Sequence, residues 1–285
     1  MTASSSYQLV IRPNRNWLRI DFQSIWEYRD LLLLLVRRDF VSKYKQTVLG
    51  PAWFVLQPLL TTLVFTVIFG GLARLSTDGV PPVLFYLCGL TAWSYFAQSV
   101  SSTSSTFASN AHLFGKVYFP RLIVPLSAVL SNLLAFGIQF GTFVAAYAYF
   151  KCCTATGGSF GPRPEVFLLP LLVAQIAMLS LGVGLWMSAL TAKYRDFAHL
   201  SAFLLQLWMY ATPVIYPLSI VPKSWRWVAV LNPMTVPVES FKILCLGSGS
   251  LSPAQIGLSM AVTLVVLLTG LLAFQNVERT FVDSV

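Results

Sequence analysis

The chain has 285 residues, 56% hydrophobic and 14% aromatic, with only 10% charged, against roughly 25% in an ordinary soluble domain. Its 19 basic and 10 acidic side chains cannot coat a 31.5 kDa globule, and the mean hydropathy is +0.71. A soluble enzyme, a secreted disulfide scaffold and a disordered chain are excluded; most of this surface faces lipid.

The first 30 residues hold Arg12, Arg15, Arg19, Asp21, Glu27 and Arg29 and no continuous apolar core. No cleavable signal peptide is expected, and a spanning helix serves for targeting. Residues 1–49 read as an N-terminal segment ending in an amphipathic helix, and 50–285 as a membrane domain. Within 24–49, helical spacing sets Leu32, Val36, Phe40, Tyr44 and Val48 on one stripe, with Arg38, Ser42 and Lys45 opposite. Such a pattern suits a helix lying in the membrane interface. It fits either a positively charged anchor or a surface that guides an anionic lipid head. Gly50-Pro51 then breaks this helix and starts the next, Pro being tolerated where its missing N–H costs nothing.

Six stretches contain no Asp, Glu, Lys or Arg: 46–73, 79–115, 122–150, 166–192, 197–222 and 243–277. About 20 apolar residues cross a hydrocarbon core of about 30 Å, so each stretch can hold one spanning helix. The spans are placed near 52–73, 83–105, 121–149, 166–190, 197–216 and 254–275. With the N-terminus inside, 13 of the 19 Lys and Arg fall on the cytoplasmic side and 6 outside. Both termini are therefore expected in the cytoplasm. The net charge of +9 reflects topology and anionic lipid heads rather than nucleic-acid binding.

Between spans two and three, 108–119 is a short cytoplasmic loop with Phe114, Val117 and Tyr118 on one helical face. Exposed apolar clusters of this kind mark a protein contact, or side chains dipping into the interface. The preceding hydroxyl run, Ser99 to Thr106, suits bonds back to helix carbonyls or across helices. Between spans five and six, 217–250 is too apolar for a free loop and too broken by Pro for one straight helix. Trp225, Trp227 and Val228 can lead into the membrane, with a turn at Asn232-Pro233 and a return through Val238 to Leu246. A re-entrant pair and an interfacial cap both satisfy this pattern. Trp53, Phe54, Phe65 and Phe69 on span one, and Phe203, Trp208, Tyr210 and Tyr216 on span five, face either lipid or a passage where sugar rings stack.

Cys88, Cys152, Cys153 and Cys245 lack metal-ligand spacing, and His112 and His199 are far apart, so no metal site is expected. The sequence contains no G-x-x-x-x-G-K-[ST]; energy for transport would come from a partner. Asp30, Asp39, Asp196 and Glu239 sit at the flanks of charge-free stretches, which argues against a self-contained enzyme or a proton-driven antiporter.

Three runs carry a resemblance: RRDFVSKYKQTVLGPAWFVLQPLLTTLVFTVIFG at 37–70, NAHLFGKVYFPRLIVPLS at 110–127 and NPMTVPVESFK at 232–242. They resemble the membrane subunit of ABC-2-type exporters, more narrowly the branch exporting bacterial surface polysaccharides such as O-antigen. The resemblance covers about residues 20 to 280. It implies an all-α integral membrane fold, with six transmembrane helices, an amphipathic interface (gate) helix and an outer re-entrant segment. By the same resemblance, Arg37, Arg38, Lys43, Tyr44 and Lys45 lie where the substrate pyrophosphate is received. Asn110, Phe114, Gly115 and Lys116 belong to a coupling helix seated on an ATPase subunit. Trp53, Phe54, Gln57, Phe65, Trp208, Tyr210 and Tyr216 would border the translocation path, and Trp225, Trp227, Asn232 and Pro233 its outer closure. The implied assembly is a homodimer with two nucleotide-binding subunits, in the bacterial inner membrane, whose partners bind ATP and Mg and whose cargo is a lipid-linked polysaccharide. Two other readings are an ABC-2 exporter of a drug or small lipid, and a membrane scaffold that does not transport.

Overall fold

A computed structural model describes residues 22–45, 47–107, 109–110, 119–153, 160–194, 196–222 and 224–282. Among these the regular structure is helical: α1 (Phe22–Glu27), α2 (Arg29–Ser42), α3 (Trp53–Phe65), α4 (Pro82–Ser104) and α5 (Ile123–Cys153) come first. They are followed by α6 (Leu169–Lys193), α7 (Phe197–Ala211), α8 (Arg226–Leu231), α9 (Thr235–Leu246) and α10 (Pro253–Val282). The end of the bundle carrying α1, α2, the start of α5 and the end of α10 is called here the basic end, and the opposite one the far end.

Among the described residues, five stretches are long and apolar enough to cross a membrane: Gly50–Leu72, Pro82–Ser104, Ile123–Cys153, Pro164–Lys193 and Pro253–Glu278. The fifth expected span is shorter than its charge-free stretch. Helix α7 ends at Ala211, and Thr212 is extended at φ −100° and ψ 144°, because the residue before Pro213 is pushed out of the helical region. Its 15 residues rise only about 22 Å, less than the roughly 30 Å hydrocarbon core. Residues 212–216, expected to be helical, form turns instead. At the other extreme α5 has 31 residues, a rise of about 46 Å, and overhangs such a core.

Helix α4 is the axis of the fold. Of its most apolar stretch 78% is buried inside the protein, against 17% for Gly50–Leu72 and 22% for the last helix. Phe85, Tyr86, Tyr95 and Phe96 are fully enclosed there, packed by α5, α6, α7 and α9. In lipid there is little hydrophobic drive between helices, so close backbone approach and polar bridges hold such bundles. Helices α6 and α10 use both. A Cβ on Gly182 would fall 2.8 Å from the Leu267 backbone, and one on Gly270 would run into the Gly182 carbonyl oxygen. One turn or two away, Gln175 Nε2 donates to Ser259 Oγ at 2.9 Å and Thr263 Oγ1 at 3.4 Å.

At the far end, α9 stops at Gly247 with φ +78°, its N–H bonded to the Ile243 carbonyl, a left-handed cap that glycine adopts freely. The Leu246 and Leu244 carbonyls near that end accept from Gly161 and Arg163 N–H at 3.2 and 3.1 Å. At the basic end α10 is tied to the residue before α5's first turn, where Arg121 donates to the Glu278 carbonyl at 2.9 Å, and to the segment after α4, where Phe107 stacks on Phe274 at 4.8 Å.

Candidate functional site

The basic end holds the amphipathic segment. Its helix ends at Ser42, so Tyr44 and Val48 do not continue the expected stripe, and Val48 is fully exposed. The packed face is also rotated by one residue. Leu35 is buried at 2% exposure, not Val36, and with Tyr28, Leu31 and Leu32 it packs on Phe119, Ile123 and Val124. These positions follow the i, i+3, i+4, i+7 rule for one helix face. Periodicity alone left two neighbouring stripes in an almost continuous Leu run.

Polar groups complete the seat. Ser127 Oγ donates to Asp39 Oδ2 at 3.2 Å, Asp39 pairs with Arg38 at 2.7 Å, and Lys43 Nζ donates to Asn132 Oδ1. Asn132 Nδ2 donates in turn to Ser102 Oγ at 3.3 Å, so the interface segment, α5 and α4 share one polar chain. Burial pushes the Lys43 pKa below the ordinary lysine value, and the nearby Asp39 carboxylate opposes that shift. Of the five residues expected to receive pyrophosphate, Lys43 is exposed along its side chain but has its ammonium tied to the α5 amide in a partly buried contact. Tyr44 is half-buried, edge-on to Phe40 at 5.3 Å. Arg37, Arg38 and Lys45 stay exposed. Phe40 stacks on Phe54 at 5.6 Å and 7°, joining the interface helix to the first span.

In the expected coupling segment, Asn110 is half-buried and donates through Nδ2 to the Thr106 carbonyl at 3.1 Å. Phe114, Gly115 and Lys116 lie outside the described residues. Phe119, which follows them, is anchored under Leu35. The hydroxyl run bonds back along its own helix, with Ser104, Ser105 and Thr106 donating to Ser101, Ser102 and Thr103 carbonyls at 2.7–3.0 Å.

The aromatic set divides. Phe65 is a core residue: it is 8% exposed, edge-on to Phe69 at 5.3 Å and to Tyr86 at 6.2 Å. It lies on the α4-facing side of α3 rather than on an exposed one. Trp53, Gln57 and Tyr210 are exposed. Trp208 and Tyr216 come together with Trp225, Val228 and Asn232 around an open cleft of about 410 Å³ at the far end. Trp225 and Trp227 are each 65% exposed.

Asn232 organises that end. Its Oδ1 accepts from Trp208 Nε1 at 2.7 Å and from the Met234 N–H at 3.0 Å, while Nδ2 donates to the Ala211 carbonyl at 3.2 Å and Thr212 Oγ1 at 2.9 Å. The asparagine thereby makes the turn between α8 and α9 by the Asx route and ties it to the broken end of α7. Pro233 follows in the turn, half-buried. Helix α8 stays on the surface while α9 is enclosed against α4.

Two charged residues of α9 lie deeper than their flanking position in the sequence suggested. Glu239 is 2% exposed and Lys242 1%. Lys242 Nζ donates to the Pro213 and Tyr216 carbonyls and lies 3.8 Å from the centre of the Phe85 ring. Lys242 thus satisfies carbonyls freed where α7 breaks, with an aromatic face against its charge. The available signal was a lone Lys one helical turn after a Glu in an otherwise apolar helix. Asn132, an amide in the first half of a 29-residue charge-free stretch, gave an equally readable signal and was missed.

Residues 30–246 match the family profile described as ABC-2 type transporter. Over 267 residues the chain is 28% identical to a Myxococcus xanthus protein named O-antigen export system permease protein RfbA, spanning 92% of this chain and 98% of that one. It is 26% identical over 257 residues to a Klebsiella pneumoniae protein of the same name, with 89% and 94% covered. With an Escherichia coli protein named polysialic acid transport protein KpsM it shares 21% over 250 residues, covering 88% and 94%.

Proposed function

Because the chain belongs to the ABC-2 type transporter family, we propose that it is the permease subunit of an ATP-driven exporter of a polyprenyl-pyrophosphate-linked, O-antigen-like polysaccharide. The cargo travels from the cytoplasmic to the periplasmic side of the bacterial inner membrane. The observation that carries the reading is the far-end cleft of about 410 Å³, walled by Trp208, Tyr216 and Trp225. Flat aromatic faces offer sugar rings C–H contacts, and Asn232 on the same wall is a polar neighbour. The names of relatives that match nearly end to end, two of them for O-antigen export, support the same cargo.

Sugars cannot cross about 30 Å of hydrocarbon, since each hydroxyl stripped of water without a new partner is costly. A second copy of the chain would close a passage against the exposed sides of α3 and α7, leaving the polyprenyl tail in lipid. Arg37, Arg38 and Lys45 would hold the pyrophosphate at the basic end, where a guanidinium can pair two oxygens at once. The 110–119 segment would seat on the nucleotide-binding partner. Two such partners would bind ATP and Mg, and this chain would hold no cofactor. Both termini then face the cytoplasm.

The test is a strain lacking this gene, with toxicity of trapped intermediates suppressed. Its lipid-linked glycans are extracted and assigned to one face of the inner membrane. Full-length polyprenyl-pyrophosphate glycan held on the cytoplasmic face is expected. Normal surface polysaccharide without any accumulation would overturn the reading in favour of a drug or small-lipid exporter.

A further inference from the structure

The polar chain beneath the interface helix has a geometry that simple anchoring does not require. Asp39 and Lys43 are four residues apart, one turn of helix, and reach Ser127 and Asn132 on α5. The two contacts run in the same direction along both segments. Between them and the start of α5 lies the apolar seat of Leu35 on Phe119, Ile123 and Val124. The interface segment is therefore fastened along the first ten residues of α5, by packing at one end and hydrogen bonds at the other.

Helix α5 starts directly after the 110–122 connection. Arg121, just before that helix, is held to α10 through the Glu278 carbonyl. Asn132 is 1% exposed and joins three elements, accepting from Lys43 and donating to Ser102 on α4. An amide can do both at once, whereas Leu at this site could do neither. Left alone, the ammonium of Lys43 would lose its partner in a partly buried place, and α2 would gain freedom to leave α5.

Resting on the proposed export function, we propose that Asn132 is a positioning residue: it makes the interface helix move as one body with the start of α5. A displacement of the start of α5 is then delivered to the exposed Arg37, Arg38 and Lys45. Asn132 touches no substrate; it acts through Lys43. The energetic content is a population shift, because the docked arrangement of α2 is favoured only while the hydrogen bond exists.

The experiment uses the permease assembled with its nucleotide-binding partner in proteoliposomes, comparing Asn132→Leu, Lys43→Met, the double variant and Asn132→Asp. Asn132→Leu is expected to keep assembly and basal ATP hydrolysis while lowering glycan export and its stimulation of hydrolysis roughly tenfold, as expected for one lost bond to a charged group. Lys43→Met should lower export similarly, and the double variant should be no worse than the poorer single. Asn132→Asp, which keeps an acceptor for Lys43, should export normally. Singles whose effects multiply, or wild-type export by Asn132→Leu, would overturn the proposal. Should Asn132→Leu fail to fold, Lys43→Met and Asn132→Asp test the same contact.

A readout independent of cargo is the distance between spin labels at Leu34 and Leu130, with Cys152 and Cys153 replaced by Ser. It should stay constant on ATP binding in the wild type and spread in Asn132→Leu. If the wild type exports no glycan, the transport reading fails, while this distance still decides the coupling. An unchanged distance distribution in Asn132→Leu sinks it.

Discussion

Asn232 accepts two hydrogen bonds and donates two, to partners on α7, on the break that follows it, and on the turn into α9. Truncating it strands the Trp208 indole N–H and leaves the Ala211 carbonyl without this donor. Unmade bonds at buried groups cost more than made ones contribute. Asn232→Ala should lower stability by about 2–3 kcal/mol, read as a fall in Tm of the purified protein, and Trp208 fluorescence should shift to the red. An unchanged Tm would remove Asn232 from this structural role. The sequence marked Asn232-Pro233 as a turn, because Asn and Pro are read locally. It did not reveal the bond to Trp208, 24 residues away, because no local rule joins two residues so far apart. For the same reason Lys242 and Asn132 passed as a flank charge and an ordinary span residue. Their roles are made by partners 29 and 89 positions distant.

Among elements, span positions were legible wherever length and absence of charge decide them. The observed Pro82–Ser104 falls within one residue of the expected 83–105, and Gly50–Leu72 within two of 52–73. Boundaries moved where tertiary contacts or a proline intervened, as at Ala211. The interface helix shows the limit of periodicity: a run of five Leu at 31–35 supports several faces, and only contact with Phe119 and Ile123 selects Leu35. Helix pairing is where a substitution discriminates. Gly182→Val puts side-chain carbon into the Leu267 backbone and should cost about 1–3 kcal/mol or more, as overpacking does. Gly137→Ala on α5, with nothing within 4 Å of the added carbon, should be neutral. Thermal unfolding of the two variants in one detergent measures this contrast, and equal Tm values would contradict the close α6–α10 packing.

At the scale of the whole molecule, the two ends carry different chemistry. At the basic end α2, the start of α5 and the end of α10 meet through Leu35, Arg121 and Asn132. The far end frames an aromatic cleft where a short helix, a broken turn and an enclosed helix meet. If the 110–119 segment seats on a nucleotide-binding partner, Phe114→Asp places a charge in an apolar contact and should abolish co-purification of that partner. A complex retained at wild-type yield would move the contact elsewhere. The same end-to-end division explains why most of the far-end aromatics on α7 and α8 remain exposed while those of α4 are enclosed.

Composition by itself determined that this is a multi-pass helical membrane protein, because too few charges exist to face water and charge-free stretches have the length of a bilayer. The three quoted runs carried its likeness to ABC-2-type exporters. Only the tertiary structure decided which aromatics are core and which are wall: Phe65 went inward on Tyr86, while Trp208 and Tyr216 joined Trp225 around the cleft. It also decided that Lys43 turns to Asn132 and that Lys242 closes the break after α7. The physical reason is common to all of these. Hydrophobicity and charge act on each residue wherever it lies, so they can be read along the chain, whereas packing and hydrogen bonds depend on partners that only folding brings near.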